Sequence, residues 1–453
     1  MDIHPPEPVL AALERLWAGG HAAYVVGGSL RDVLVGREPA DWDLATDARP
    51  DRVLELFPGS VYENRFGTVS ARLDREFLEI TTFRSDHDYA DFRRPDRVEF
   101  GDTIEVDLAR RDFTVNALAW GSAGGGDPPV ANRGAPRLVD PHDGIADLER
   151  RLLRAVGDPR LRFEEDALRM VRAVRLATTL DFDIEAGTLA AIEAQSSLVA
   201  RLSAERVAAE LEKLLAAGRP SVGLRLMAAT GILAVISPEL AAQRGLPQNK
   251  IPGDDLWDHT VRTVDAVSPE HPVVRLAALL HDIGKPATMA NGHFLGHDAV
   301  GAELAVAFME RLRLPKAVIE RVGHLVRNHM FSYEPSWGDS GVRRFIQRVG
   351  RDALAQLFEL READNEGSGL ARTAHDLDEL RERVAAQLAA RVVLERRDLV
   401  IDGSDLIAEL GLTEGPALGR ILDALLDHAL TDPTINERAT LLLLAQASLT
   451  EDR

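Results

Sequence analysis

The chain has 453 residues, 45% hydrophobic and 28% charged, which excludes extended disorder and suits about three domains. It contains no cysteine, so disulfides, thiolate metal sites and cysteine nucleophiles are excluded, and the composition fits a reducing compartment. A formal net charge of −20 argues against sequence-independent coating of nucleic acid but leaves room for a local basic groove.

The N-terminal MDIHPPEPVLAALERLWAGG lacks a basic segment followed by an apolar run, and no stretch approaches the roughly 18 apolar residues of a membrane span. The expectation is a soluble, cytoplasmic protein with no membrane partner. Up to about residue 140, short β-like runs alternate with helical ones. AAYVV (22–26), DWDLAT (41–46), GTVSARL (67–73), FLEITTF (77–83) and RVEF (97–100) read as strands, LRDVLVG (30–36) and PDRVLELF (50–57) as helices. From about residue 147 helical periodicity dominates to the C-terminus. The predicted fold class is α+β: a small mixed α/β head followed by a long all-α neck, body and tail. Expected boundaries are 1–140, 141–245, 246–370 and 371–453.

In YVVGGSLRD, Gly27 and Gly28 stand between a buried strand and a helix, where the missing Cβ atoms let a phosphate approach the backbone. Thirteen residues after Gly28 comes Asp41-Trp42-Asp43. Read as a strand, it puts both carboxylates on one face about 7 Å apart, a spacing that suits one or two Mg²⁺ ions. A solvated edge strand has the same pattern; the preceding glycine turn favours the nucleotide reading. RRDFTVNALAW (110–120) reads as a helix with Asp112 and Asn116 on one face. In RFEEDALRMVRAVR, Asp166 and Arg169 share a predicted helix face, with Arg172 and Arg175 continuing it; alone, they would be an exposed ion pair.

Five His-Asp dipeptides occur, at 87, 142, 281, 297 and 375, so the pair itself carries nothing. Only His281-Asp282 ends a long apolar helical run, VVRLAALLHDIGKP. This segment resembles the HD phosphohydrolase signature, and the resemblance implies partners at His259, His297, His329 and Asp364, which lie in helical surroundings on either side. Each fits a core residue by itself; together they suit a divalent transition metal, Ni, Mn or Co.

GGSLRD, DWD, RRDFTVNA and RFEEDALRMVRAVR, in that order, resemble the class II tRNA nucleotidyltransferase and bacterial poly(A) polymerase family over about residues 20–215. LLHDIGKP resembles the HD phosphohydrolase signature. The resemblance implies that Gly27, Gly28, Ser29 and Arg31 hold the triphosphate. It implies that Asp41 and Asp43 are the catalytic, Mg²⁺-binding carboxylates, and that Arg111, Asp112 and Asn116 contact the sugar. Asp166 and Arg169 would read the base edge without a nucleic acid template, in a nucleotide-binding stripe with Arg172 and Arg175. Glu205 and Arg206 would brace that helix. The implied function is addition of CCA, or its terminal A, to tRNA 3′ ends from CTP and ATP, with an HD phosphohydrolase side activity. Poly(A) polymerase, and an HD phosphohydrolase with an RNA-binding head, are the alternatives, and monomer and dimer both remain open. The polar stretch SDHDYADFRRPD (85–96) falls where the family has a loop associated with A addition, which implies that ATP is a substrate.

Overall fold

In a computed structural model of the chain, all residues are described except 1–2, 40, 63–66, 74–75, 88–96, 102, 124–134, 249, 371–374, 391 and 452–453. They form two compact units, Met1–Ala241 and Ala242–Arg453. No helix among the described residues is long and apolar enough to cross a membrane.

The first unit opens with helix α1 (Glu7–Ala18), which buries Val9, Ala12, Leu13 and Leu16, the one-face spacing of an amphipathic helix. Each leucine buried in this way contributes roughly 1.5–3 kcal/mol. Strand β1 (Ala23–Val26) is buried along its whole length, as a run of AYVV requires. There follow α2 (Gly28–Leu34), β2 (Asp43–Thr46), α3 (Pro50–Leu56), β3 (Val61–Tyr62), β4 (Thr68–Leu73) and β5 (Glu76–Thr82). A separate antiparallel hairpin, β6 (Arg84–His87) with β7 (Arg97–Phe100), precedes α4 (Ile104–Ala109), β8 (Ala119–Ser122) and β9 (Arg137–Val139). The main sheet has the order β3-β4-β5-β2-β1-β8-β9, and within it β2 and β5 pair in parallel, Asp43 beside Glu79. Tyr24, Val26 and Ala45 from the sheet close a core with Phe83, Ile104 and Leu108.

The rest of this unit is helical: α5 (Gly144–Glu149), α6 (Pro159–Glu165), α7 (Leu168–Leu180), α8 (Ala186–Gln195), α9 (Ala204–Leu215), α10 (Pro220–Ala229), α11 (Ile232–Ile236) and α12 (Pro238–Ala241). Two short parallel strands, β10 (Leu152–Leu153) and β11 (Asp183–Ile184), interrupt it. The second unit contains α13 (Leu256–Asp265), α14 (Pro272–Leu280), α15 (Lys285–Thr288), α16 (His297–Arg311), α17 (Lys316–Asn328), α18 (Asp339–Val349) and α19 (Leu354–Gly367). Helices α20 (His375–Ala389), α21 (Gly403–Leu410), α22 (Pro416–Thr431) and α23 (Arg438–Glu451) follow. An α/β head and an otherwise helical chain agree with the α+β class expected from the sequence.

Three local expectations need correction. Strand β2 starts at Asp43, so Asp41 precedes the strand and does not share its pleat. RRDFTVNALAW is not a helix: α4 ends at Ala109, a single 3₁₀ turn spans Thr114–Asn116, and β8 begins at Ala119. Isoleucine- and leucine-poor, with β-branched Thr114 and Val115 at its centre, this segment follows sheet pairing with β1 rather than helical periodicity. Finally, Asp166 and Arg169 do not lie on one continuous helix, because α6 stops at Glu165 and Asp166 adopts extended φ/ψ before α7.

Candidate functional site

In the first unit, the turn after β1 places Gly27 at φ +78°, a conformation that favours glycine. A Cβ built there would lie 2.8 Å from Arg111 Nη1 and 3.6 Å from Asp43 Oδ2, so the bare backbone shares one small space with both groups. Gly28 opens α2, where the buried Ser29 hydroxyl donates to Val26 O at 3.1 Å. Asp43 is half-buried and Asp41 exposed. Burial pushes the Asp43 carboxyl above its ordinary range; Arg111 opposes this and the Asp41 charge adds to it. A carboxylate made uncomfortable by burial and by a like charge is a good partner for a cation.

A hydrogen-bonded chain ties three elements together. Arg31 of α2 donates to Asn116 Oδ1 at 2.7 Å, and Asn116 Nδ2 donates to Asp112 Oδ1 at 3.0 Å. Asp112 Oδ2 in turn accepts from Arg172 Nε of α7 at 2.9 Å. Burial would raise the Asp112 carboxyl, but Arg172 and Asn116 hold it far below the ordinary carboxylate range. Asp112 and Asn116 are thus brought together as expected, by a 3₁₀ turn in place of a helix.

Asp166 and Arg169 make no ion pair with each other. Asp166 Oδ1 caps Leu168 N at 3.0 Å, and its Oδ2 accepts from Arg206 Nη2 of α9 at 2.6 Å. Arg169 donates to Glu165 Oε2 at 2.8 Å and to Arg110 O at 2.9 Å. Arg175 faces away from this group and binds Glu210 Oε2 at 2.5 Å. Arg110, Arg111, Asp112, Asp166, Arg169, Arg172 and Arg206 line one cavity of about 370 Å³, together with Arg84 and Leu168. With six arginines against two aspartates, its lining attracts anions.

The second unit gathers all six sequence-predicted metal ligands. His259 sits one turn into α13, which starts from an Asp255/Asp258 capping box. His281 ends α14 and Asp282 follows it; His297 begins α16, His329 ends α17, and Asp364 lies in α19. Gly284 permits this convergence, since a Cβ there would lie 2.3 Å from His297 O. All six side chains are buried. His259 Nε2 lies 3.3 Å from both Asp282 Oδ2 and Asp364 Oδ1, and His281 Nε2 lies 3.1 Å from Asp282 Oδ2. His281, His297 and His329 direct Nδ1 to the backbone carbonyls of Ala278, Phe294 and Val326, at 2.8, 2.7 and 2.6 Å. Those bonds fix the tautomer with a bare Nε2 inward, the arrangement metal-binding histidines need. Burial pushes His281 and His297 down. At Asp282 the effect of burial is more than reversed by His281 and Lys285, so its carboxyl stays well below the ordinary range.

Residues 23–154 match the poly A polymerase head domain, 181–244 a probable RNA- and SrmB-binding site of polymerase A, and 258–382 an HD domain. A CCA-adding enzyme of Geobacillus thermodenitrificans is 32% identical over 436 residues, covering 96% of this chain and 95% of that protein. The chain belongs to the tRNA nucleotidyltransferase family. An A-adding tRNA nucleotidyltransferase of Deinococcus radiodurans is 35% identical over 431 residues, 89% of this chain and 90% of that one. Among solved structures, the Bacillus stearothermophilus CCA-adding enzyme in complex with CTP superposes with a TM-score of 0.71 at 26% identity, covering 99% of each chain.

For a tRNA nucleotidyltransferase, several residues at the site were not singled out by the sequence reading. Asp107, almost fully buried, receives Arg110 at 2.7 Å and Arg111 at 3.1 Å, and so orients both arginines of the RRD motif. Its i,i+3 and i,i+4 spacing to them was the readable clue. Lys285 donates to Asp282 Oδ2 at 2.6 Å and Lys250 to Ser368 Oγ at 2.7 Å, and both line a cavity of about 530 Å³ beside the histidines. Tyr89, Arg93 and Arg94, of the stretch linked to A addition, lie outside the described residues.

Proposed function

We propose that this cytoplasmic chain transfers CMP and AMP from CTP and ATP to the 3′ end of tRNA, building CCA or its terminal A. The observation that carries the reading is the shared space at Gly27, where Asp43 and Arg111 meet beside the arginine-lined cavity. Asp41 and Asp43 are hard oxygen donors suited to Mg²⁺. When bound, Mg²⁺ would supply polarisation of the phosphate and charge neutralisation on the departing pyrophosphate. The primer 3′-hydroxyl oxygen bonds to the α-phosphorus while the bond to pyrophosphate breaks. Gly27, Gly28, Ser29, Arg31 and Arg111 hold the triphosphate, and Asp112 with Asn116 positions the sugar. Asp166 and Arg169 read the base edge: an Asp acceptor meets the exocyclic amino group common to C and A. Arg172, bonded to Asp112, and Arg175, bonded to Glu210, hold α7, which presents Arg169. The test is radiolabelled incorporation into tRNAs ending at the discriminator base, in one C or in two. CTP uptake by the first two, followed by A, supports CCA addition; uptake of A alone, on the third, defines an A-adding enzyme; untemplated A tails on unrelated RNA refute both.

A second reading concerns the second unit. The histidine–aspartate cluster opens to the cavity lined by Lys250, Lys285 and Arg361, cations that suit a phosphoester. We assign to it a transition metal (Ni, Mn or Co) and phosphoester hydrolysis. His281→Ala with Asp282→Ala should remove hydrolysis of a generic phosphoester and spare CTP incorporation; a metal-loaded protein without hydrolysis, against 2′,3′-cyclic nucleotides included, refutes it.

A further inference from the structure

We propose that the face of the main sheet carrying Asp43 continues outward as a subsite for the unpaired 3′ end of the acceptor tRNA, with the terminal base stacked on Phe77. The inference rests on the reading of Asp43 as a catalytic carboxylate and adds where the attacking strand lies.

Cross-strand register builds this face. Asp43 of β2 stands beside Glu79 of β5, Glu79 beside Ser70 of β4, and Ser70 beside Val61 of β3. Residues paired in this way project from the same side of a sheet, so one row of side chains runs from Asp43 to the β3 edge. With strands about 4.8 Å apart, its three steps span roughly 14 Å, room for a few unpaired nucleotides. Two residues along β5, on the same side, Phe77 stands beside Arg72. The other side of these strands is core, with Leu44, Ile80, Val69 and Ala71 buried. Val61 and Phe77, by contrast, are 58% and 59% exposed. A sheet with one solvated face normally turns polar residues to water; here a valine and a phenylalanine are open on the side that bears Asp43.

The geometry of the transfer selects the occupant. The Gly27 turn belongs to β1, on the other flank of Asp43: Val26 pairs with Asp43, and a Cβ at Gly27 would lie 3.6 Å from Asp43 Oδ2. Arg111 Nη1 is 2.8 Å from that same point. A triphosphate held there puts the departing pyrophosphate on the β1 side. Attacking and leaving oxygens stand roughly in line across the phosphorus. The 3′-hydroxyl therefore arrives from the β5 side, and the nucleotides behind it cross β5 and β4. There Phe77 offers a ring to the flat face of a base, and Arg72 beside it offers a cation to a phosphate. Val61 extends the apolar contact at the edge. Stacking tolerates any base, which an acceptor whose last base changes as the tail grows requires.

The test uses the full chain and tRNA lacking CCA, with 2-aminopurine as its terminal base. Stacking on Phe77 quenches that base, and CTP incorporation gives KM for tRNA and for CTP separately. Phe77→Ala should raise KM for tRNA roughly 5- to 100-fold, leave KM for CTP unchanged and remove the quench. Phe77→Tyr should restore both readouts; Phe77→Leu, which keeps apolar area without an aromatic plane, should not. Because Phe77 is exposed, all three should unfold at the parent's temperature. An unchanged KM for tRNA and an unchanged quench in Phe77→Ala, with Asp43→Ala inactive, overturn the subsite alone. Turnover by Asp43→Ala overturns the catalytic reading beneath it. A parent that sediments as a dimer and dissociates in Phe77→Ala also overturns the subsite, since the face then belongs to a second copy of the chain.

Discussion

Arg206 of α9 donates to Asp166 Oδ2 at 2.6 Å across 40 residues of chain, holding that carboxylate in the break between α6 and α7. Asp166 of RFEEDALRMVRAVR is therefore aimed by a residue outside that segment. Its backbone-capping oxygen is occupied by Leu168 N, so the Arg206 bond sets what remains available to a base. Arg206→Ala should slow CTP and ATP addition by on the order of 10- to 100-fold, the kinetic equivalent of a hydrogen bond to a charged group. Arg206→Lys should recover part of it. Steady-state incorporation on tRNA checks this; unchanged rates and fidelity in Arg206→Ala would show that the bond is only a brace for α9.

Asp166→Ala and Arg169→Ala should lose discrimination, with UTP or GTP incorporated or all addition slowed. Each base-edge hydrogen bond contributes about 1–3 kcal/mol. A misincorporation assay with each nucleotide alone is decisive: fidelity and rate equal to those of a remote surface variant would reduce both residues to salt-bridge partners.

Asp41→Ala and Asp43→Ala should each abolish incorporation of both nucleotides while thermal unfolding stays close to that of the parent. Removing Asp43 also relieves a carboxylate strained by burial, so its unfolding temperature should not fall. Substantial turnover with Mg²⁺ in either variant contradicts the two-carboxylate assignment.

Asp107 and Asp112 connect the site to acid stability. Burial pushes both carboxyls up, and their partners more than reverse it, Arg110 and Arg111 at Asp107 and Arg172 with Asn116 at Asp112. Both pKa values are depressed by folding, so the unfolded chain takes up protons at a higher pH than the folded one. Their stabilisation is complete above the ordinary carboxylate range and is lost as pH falls through the folded values, from roughly pH 5 downward. Asp107→Asn should cost roughly 1–3 kcal/mol at neutral pH, because its two guanidinium partners keep some access to water. Asp112→Asn should flatten the acid limb of a urea-unfolding series. An acid limb as steep as the parent's would show that the Asp112 contacts do not contribute.

Deleting residues 87–94 should suppress A addition more than C addition. The hairpin strands β6 and β7 flank this stretch, whose length exceeds the 2–5 residues a hairpin connection needs. A parent enzyme that stalls after CC with ATP present would remove the basis for it.

Much of the chemistry was legible in local sequence. The glycine turn after a β-branched strand, the ordered arginine and aspartate motifs, and the apolar run ending in His281-Asp282 each depend on near neighbours and on periodicity. So the head and the helical remainder followed from the residues themselves, while the grouping of the six histidine and aspartate candidates came with the resemblance to the HD signature. Which of these residues touch was decided elsewhere. RRDFTVNALAW has helical spacing, yet it folds as a 3₁₀ turn and its last two residues open β8, because burying β8 against β1 gains more than a short isolated helix can. Asp166 and Arg169 are close in sequence but bonded to Arg206 and Glu165, since the chain breaks between them and α9 packs alongside α7. The two-sided environment of Asp282 arises only where the ends of α14 and α17 meet the start of α16, and spacing along the chain carries no record of that meeting. Residue type and spacing set which groups can do chemistry; long-range packing set which oxygen of a carboxylate faces which nitrogen.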